Sequence, residues 1–418
     1  MRRGLRGAPV VFRVAVCLLI SEVVGAQVTN DKLHWVGSWA ASQQVPETQN
    51  LLDPELLSDA TLRQIVHLSV GGSQLRVRVS NAFGTQPLHL MAVHVARPVS
   101  AASAAIDAGS DVAVTFHGAP DVMVPAGAEY LSDAVAFPVA ALSNLAISIH
   151  FDQPPTGETG HPGSRATSYV ARGDLVSATS LPDAERVEHW YQVSGVDVTS
   201  PVQAGAVVTL GDSITDGHGA TTNGNDRWPD VLAARMQAEK STRTMGLLNE
   251  GIGGNRLLLD GLGANALARF DRDVLAQTGV RAVIVLEGVN DLGTLTRDHD
   301  VSAEEHTALV GRIEGAYSQM IERAHAHGIR MIGATILPYG GSKYYHPGPE
   351  SEADRQAINA WIRAVGHFDA VVDFDKLTRD PAHPDRLLPA YDSGDGLHPG
   401  PAGYKAMGEA IPLHLLGP

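Results

Sequence analysis

A chain of 418 residues, 44% hydrophobic and 18% charged, exceeds what one hydrophobic core normally serves, which predicts two domains and excludes a disordered chain. Its formal charge of −15 disfavours nucleic acid and anionic membrane as partners, and is compatible with neutral sugars or small esters. The one cysteine, Cys17, falls in the N-terminal leader, so cleavage after Ala26 removes disulfides, structural Cys–zinc sites and thiol catalysis together.

Residues 1–26 read as a signal peptide. Arg2, Arg3, Arg6 and Arg13 supply a positive start, residues 14–20 are apolar, and Val24-Gly25-Ala26 offers small residues at a cleavage site. The apolar run is shorter than the roughly 20 residues that a spanning helix needs. The expectation is a secreted or periplasmic protein with no stable membrane anchor. Oligomeric state is not readable.

Residues 27–202 form the expected β-rich domain. Residues 75–79 and 145–151 alternate apolar and polar, and 89–96 and 111–116 are similar short β-rich runs. Residues 64–70 and 75–80, separated by Gly71-Gly72-Ser73, read as a hairpin around a glycine turn. Turn residues punctuate the segment and no long amphipathic helix interrupts it, which points to a β-sandwich-like domain.

From residue 203 to 418 the pattern changes to strands alternating with helices. Buried-type apolar strands are predicted at 206–210, 245–248, 282–286, 331–336 and 370–372. Helices are predicted at 229–239, 264–275, 303–326, 351–365 and 401–415. Continuous apolar strands separated by helices imply a parallel sheet covered on both faces, whose reactive groups gather at the strand C-termini.

Four motifs fall at those ends: Gly211-Asp212-Ser213-Ile214, Gly251-Ile252-Gly253-Gly254-Asn255, Gly288-Val289-Asn290-Asp291 and Asp395-Gly396-Leu397-His398. A serine hydroxyl becomes a useful nucleophile when a base takes its proton, and histidine suits that role near neutral pH. A histidine in turn needs a partner that fixes its tautomer, and Asp395 lies three residues before His398. Asp392 also precedes it, at six residues. A developing oxyanion needs fixed donors. Glycine at 253–254 permits close backbone approach, and the Asn290 amide is a neutral donor.

In this order and spacing the blocks make residues 206–416 resemble the SGNH, or GDSL-type, hydrolases. The segment Trp35-Val36-Gly37-Ser38-Trp39-Ala40 resembles the opening of larger two-domain bacterial esterases of that type. The resemblance implies an α/β fold of three layers, flavodoxin-like, preceded by the β-sandwich-like domain. It implies Ser213 as nucleophile, His398 as base and Asp395 as its orienting acid. The oxyanion hole it implies consists of the Ser213 N–H, the Gly254 N–H and the Asn290 side chain, with Gly253 the alternative to Gly254. The block around Ser213 ends Ser-Ile-Thr rather than Ser-x-Gly, which separates it from the nucleophile elbow of the α/β-hydrolases.

The expected substrate is a small-molecule or polysaccharide ester carrying short acyl groups such as acetate. The alternatives are a lipase or lysophospholipase acting on longer chains, acyl transfer between sugars, and a non-catalytic carbohydrate-binding module. Arg256 after the second block, and Tyr339, Tyr344 and Tyr345 after the fourth strand, are candidate substrate contacts. No cofactor and no metal are expected, since no His-Glu-x-x-His occurs and His325 and His327 do not share a helix face.

Overall fold

Alternation along the β-rich segment builds two antiparallel sheets. One orders His34–Ala40, Val193–Ser200, Leu75–Ser80 and Glu129–Leu131. The other orders Glu185–Val187, Ser168–Arg172, Ala60–His67, Asn144–Phe151, Ala92–Ala96 and Val112–Val114. Leu75, Val77 and Val79 of the first sheet and Leu62, Leu145, Ile147 and Ile149 of the second are fully buried in the same core. This computed structural model describes residues 34–417, besides Met1; the signal-peptide expectation, on residues 1–26, lies outside them.

The hairpin expected around Gly71-Gly72 does not form. Ala60–His67 and Leu75–Ser80 belong to different sheets, where they pair with Asn144–Phe151 and Val193–Ser200. The glycines instead carry the chain from one sheet to the other. A side chain on either would strike backbone of segments packed over them, at Val139 and Thr199.

The second half forms a five-stranded parallel sheet in the order Met245–Gly251, Gly205–Gly211, Val280–Leu286, Arg330–Ala334, Ala370–Val372. Its central strands are mostly apolar, as expected of a parallel sheet covered on both faces; Val207, Val208, Val283 and Ile284 are fully buried. The strand order reverses at Gly205–Gly211, so the crevice for a ligand opens at the C-terminal ends of that strand and its neighbours. The helix expected over 264–275 is split into Ala266–Phe270 and a π-helical turn, Asp271–Leu275. Among the described residues no helix is long and apolar enough to cross a membrane.

Residues 34–417 belong to one compact unit. His34–Ala40 runs along the edge strand Met245–Gly251, and Gly246 has no side chain to collide with the Gly37 carbonyl. The Gly37 N–H donates to the Thr278 carbonyl at 3.0 Å, and the Leu247 N–H to Ser69 Oγ at 2.8 Å. The β-rich part thus covers one open edge of the parallel sheet.

Candidate active site

Ser213 lies two residues past the end of the strand Gly205–Gly211 and opens the short helix Ser213–Asp216. Asp212 caps this helix, its carboxylate accepting from the Ile214 N–H at 2.8 Å. Gly217, at φ 100°, ends it with an N–H to the Ser213 carbonyl at 2.9 Å. The hydroxyl is therefore held at the strand end by the turn itself.

His398 arrives from the opposite direction, on the turn before the C-terminal helix Pro401–Ala410. Its Nε2 lies 2.8 Å from Ser213 Oγ and its Nδ1 lies 2.6 Å from Asp395 Oδ2. A carboxylate only accepts, so Nδ1 carries the proton and Nε2 accepts from the serine hydroxyl. Asp395 also accepts from the backbone N–H groups of Leu397 and His398, each at 2.9 Å. Partial burial pushes this carboxyl up. The hydrogen bonds from the ring and backbone of His398 outweigh it and hold Asp395 well below the usual carboxylate range. Asp392 instead accepts from Gly394 and Gly396.

Asn290 sits in the first turn of the helix Val289–Thr296, entered through Gly288 at φ 107°. Its amide is tied at both ends. Nδ2 donates to the Asn255 carbonyl at 2.7 Å, and Oδ1 accepts from the Tyr345 hydroxyl at 2.7 Å. The second Nδ2 hydrogen is left for the cleft. Gly254, at φ 71°, directly precedes Asn255, and its N–H has no partner among the described residues. A side chain at 254 would collide with Leu262. Asp291 accepts from the N–H groups of Leu257 at 2.8 Å and Leu258 at 3.1 Å, fastening the chain after the glycine block; burial pushes its carboxyl up to about 6.

Ser213, Gly253, Gly254, Asn290 and His398 line one cleft of about 690 Å³. Of the expected contact residues, Arg256, Tyr344 and Tyr345 also line it. Tyr339 does not: it is 1% exposed and packs edge-on against Tyr345, its ring 6.4 Å away. The apolar end of the fourth strand drew it into the core. Tyr345 is itself 4% exposed, and its hydroxyl is spent on Asn290.

Sequence reasoning missed Arg269. Its guanidinium is fully buried beneath the strand ends and donates to the carbonyls of Gly211 at 2.9 Å and Glu250 at 2.7 Å, to Asn255 Oδ1 at 2.9 Å and to Asp273 at 2.9 Å. The signal was present: Arg269 and Asp273, four apart, share a helical stripe with the apolar Ala266 and Phe270. It also missed the wall that the β-rich part contributes. Gln44, Glu47, Gln49, Asn50, Arg165 and His189 line the cleft opposite the parallel sheet. His161 reaches underneath, from the Ser42 carbonyl at 2.8 Å to Asp216, the last residue of the Ser213 helix, at 3.0 Å. No local pattern announces these residues. His218 was missed as well; its ring lies 4.2 Å from that of His398, and burial, then His398 and Arg165, lower its pKa.

Residues 209–406 match the model of the GDSL-like Lipase/Acylhydrolase family. Solved structures similar to this chain include a protein assigned to the lipolytic G-D-S-L family from Desulfitobacterium hafniense DCB-2, at 24% identity and a TM-score of 0.37, covering 49% of this chain and 96% of that one. A GDSL-like lipase from Bacteroides thetaiotaomicron VPI-5482 is 22% identical, with a TM-score of 0.36, covering 49% and 85%. The acetyl xylan esterase AlAXEase is 20% identical, with a TM-score of 0.37, covering 49% and 96%. No curated protein matches the chain.

Proposed function

We propose, from the premise that residues 209–406 belong to the GDSL-like lipase/acylhydrolase family, that the chain is a serine ester hydrolase working through an acyl-enzyme. The observation that carries this reading is the hydrogen-bonded series Ser213 Oγ, His398 Nε2, His398 Nδ1, Asp395 Oδ2. Ser213 attacks the ester carbonyl while His398 takes its proton. The Ser213 and Gly254 N–H groups and the free Asn290 hydrogen receive the negative charge that develops on the carbonyl oxygen. His398, steadied by the ionised Asp395, then protonates the leaving alcohol. A water deprotonated by the same ring releases the acid.

The substrate we infer is a short acyl group, such as acetyl, on a hydroxyl-rich alcohol of carbohydrate type. Support comes from the polar wall of Glu47, Gln49, Asn50 and His189, suited to hydroxyl groups. The buried Tyr345 and Leu397 crowd the part of the cleft beside Asn290 and His398, which favours a small acyl group. The test is a series of p-nitrophenyl esters of increasing chain length, beside acetylated xylan and a lysophospholipid. Rates are expected to fall steeply beyond butyrate, and Ser213→Ala to abolish turnover in a folded protein. A folded wild type that cleaves no ester overturns the reading. Undiminished activity on long chains replaces it with a lipase.

A further inference from the structure

Three arginines line the cleft: Arg165, Arg256 and Arg297. Two have their charge or donors engaged. Arg297 pairs with Asp298 at 2.8 Å and donates to the Tyr344 hydroxyl at 2.7 Å, and Arg256 donates to the Asp260 carbonyl. Arg165 differs. Like Arg256, it has no carboxylate within 4.0 Å among the described residues, but its one side-chain hydrogen bond runs to a ring, from Nη2 to Nδ1 of His218 at 3.2 Å. Its Nε is buried with no partner at all. A guanidinium keeps its charge in any protein environment, so Arg165 stays cationic beside an imidazole that must be neutral to accept from it. A part-buried charge without a counter-charge is costly.

The position is nevertheless built. Arg165 itself adopts φ 48°, a left-handed backbone that side chains seldom take. Its carbonyl accepts from the Asn223 N–H at 2.8 Å. The Asn223 side chain is bound in both directions to Thr167, at 2.8 and 2.9 Å, and Arg227 holds the Ser164 carbonyl. These bonds fasten the Arg165 loop of the β-rich part to the loop that follows the Ser213 helix. The His218 ring that receives Arg165 lies 4.2 Å from His398, so the guanidinium stands one ring away from the reacting atoms. Of the acidic groups of the cleft, Glu47 is engaged by the amides of Gln44 and Asn50, and Asp216 by His161 through Oδ1, its Oδ2 being buried with no partner.

We propose that Arg165 is an anion subsite, and that the preferred ester carries a carboxylate or phosphate on its alcohol part. This rests on the esterase reading and deepens it. The guanidinium binds the anionic group through its unpartnered N–H donors while Ser213 attacks the acyl carbon, orienting the alcohol against the wall of the β-rich part.

The test compares three acetylated methyl glycosides that differ only at C6: a neutral glucoside, a glucuronoside and a glucoside 6-phosphate. Wild type is expected to favour at least one anionic member over the neutral one by roughly tenfold to a hundredfold in kcat/KM, the size of one charge-assisted contact. The member favoured tells carboxylate from phosphate. Arg165→Gln is expected to bring that ratio near one, and Arg165→Lys to keep part of it. Because the readout is a ratio within each variant, a general loss of activity does not imitate the result. Equal rates on all three, or a preference that survives in Arg165→Gln, overturns the subsite and leaves the esterase standing. Hydrolysis of none of them by wild type, nor of p-nitrophenyl acetate, overturns both.

Discussion

At Asn290 the direction of one amide hydrogen depends on two neighbours. With its oxygen accepting from Tyr345 and one N–H donating to Asn255, the remaining N–H has a single orientation. Asn290→Ala is expected to lose about 2.7–4 kcal/mol of transition-state stabilisation, the amount measured for one oxyanion donor in another serine hydrolase. Tyr345→Phe keeps the donor but frees the amide to rotate, at a cost of about 0.5–1.5 kcal/mol. Steady-state kinetics on a short ester should show both losses in kcat rather than in KM. An unchanged kcat in Asn290→Ala removes it from the hole. Tyr345 was visible in the sequence as a residue near the site, but the partner of its hydroxyl was not, since Asn290 lies 55 positions away.

Among the elements, the strand ends meet over a single buried cation. Arg269 ties the ends of Gly205–Gly211 and Met245–Gly251 to the glycine block and faces Asp273 at 2.9 Å and Glu287 at 3.5 Å. Arg269→Met would leave Glu287 buried with no cation, Asp273 with Arg272 alone, and the Gly211 and Glu250 carbonyls without their donor. Removing one partner of a buried pair costs about 3–5 kcal/mol. Urea unfolding should find that loss, and a variant of near-normal stability would show that the acids are content without it. The parallel strands themselves were readable as apolar runs because both sheet faces are covered. The failed hairpin between 60–67 and 75–80 marks the limit: glycines between two strands specify that the chain turns, while competition from partners distant in the chain decides which sheet each strand joins.

For the whole molecule, buried carboxyl groups set the response to pH. Burial pushes Glu158 up to about 7 against one hydrogen bond from the Leu52 N–H, and Asp291 up to about 6. The native state therefore holds these protons more tightly than the unfolded chain, whose values are 4.5 and 3.8. Stability from this source falls as pH rises through that window and stays low above pH 7. Asp395 and Asp373 are held low; what they contribute is complete above pH 3.8 and is lost only on further acidification, so they do not offset the trend. Thermal unfolding should give a higher Tm at pH 5 than at pH 8. Glu158→Gln should recover at most about 3 kcal/mol at pH 8 and almost nothing near pH 4.5. An equal gain at both values would remove Glu158 as the cause.

From the sequence alone follow the two kinds of architecture and the blocks at the strand ends, because periodicity, glycine and capping act over a few neighbouring residues. The sequence also selected Ser213, Gly254, Asn290 and His398, which line one cleft, and Asp395, which is hydrogen-bonded to His398. What only the tertiary structure decided is the rest of that cleft: the wall from the β-rich part, His161 beneath the Ser213 helix, the clamp of Arg269 and the uncompensated charge of Arg165. Those arrangements depend on packing between segments far apart in the chain, where burial and charge pairing are settled by three-dimensional neighbours that no local pattern records.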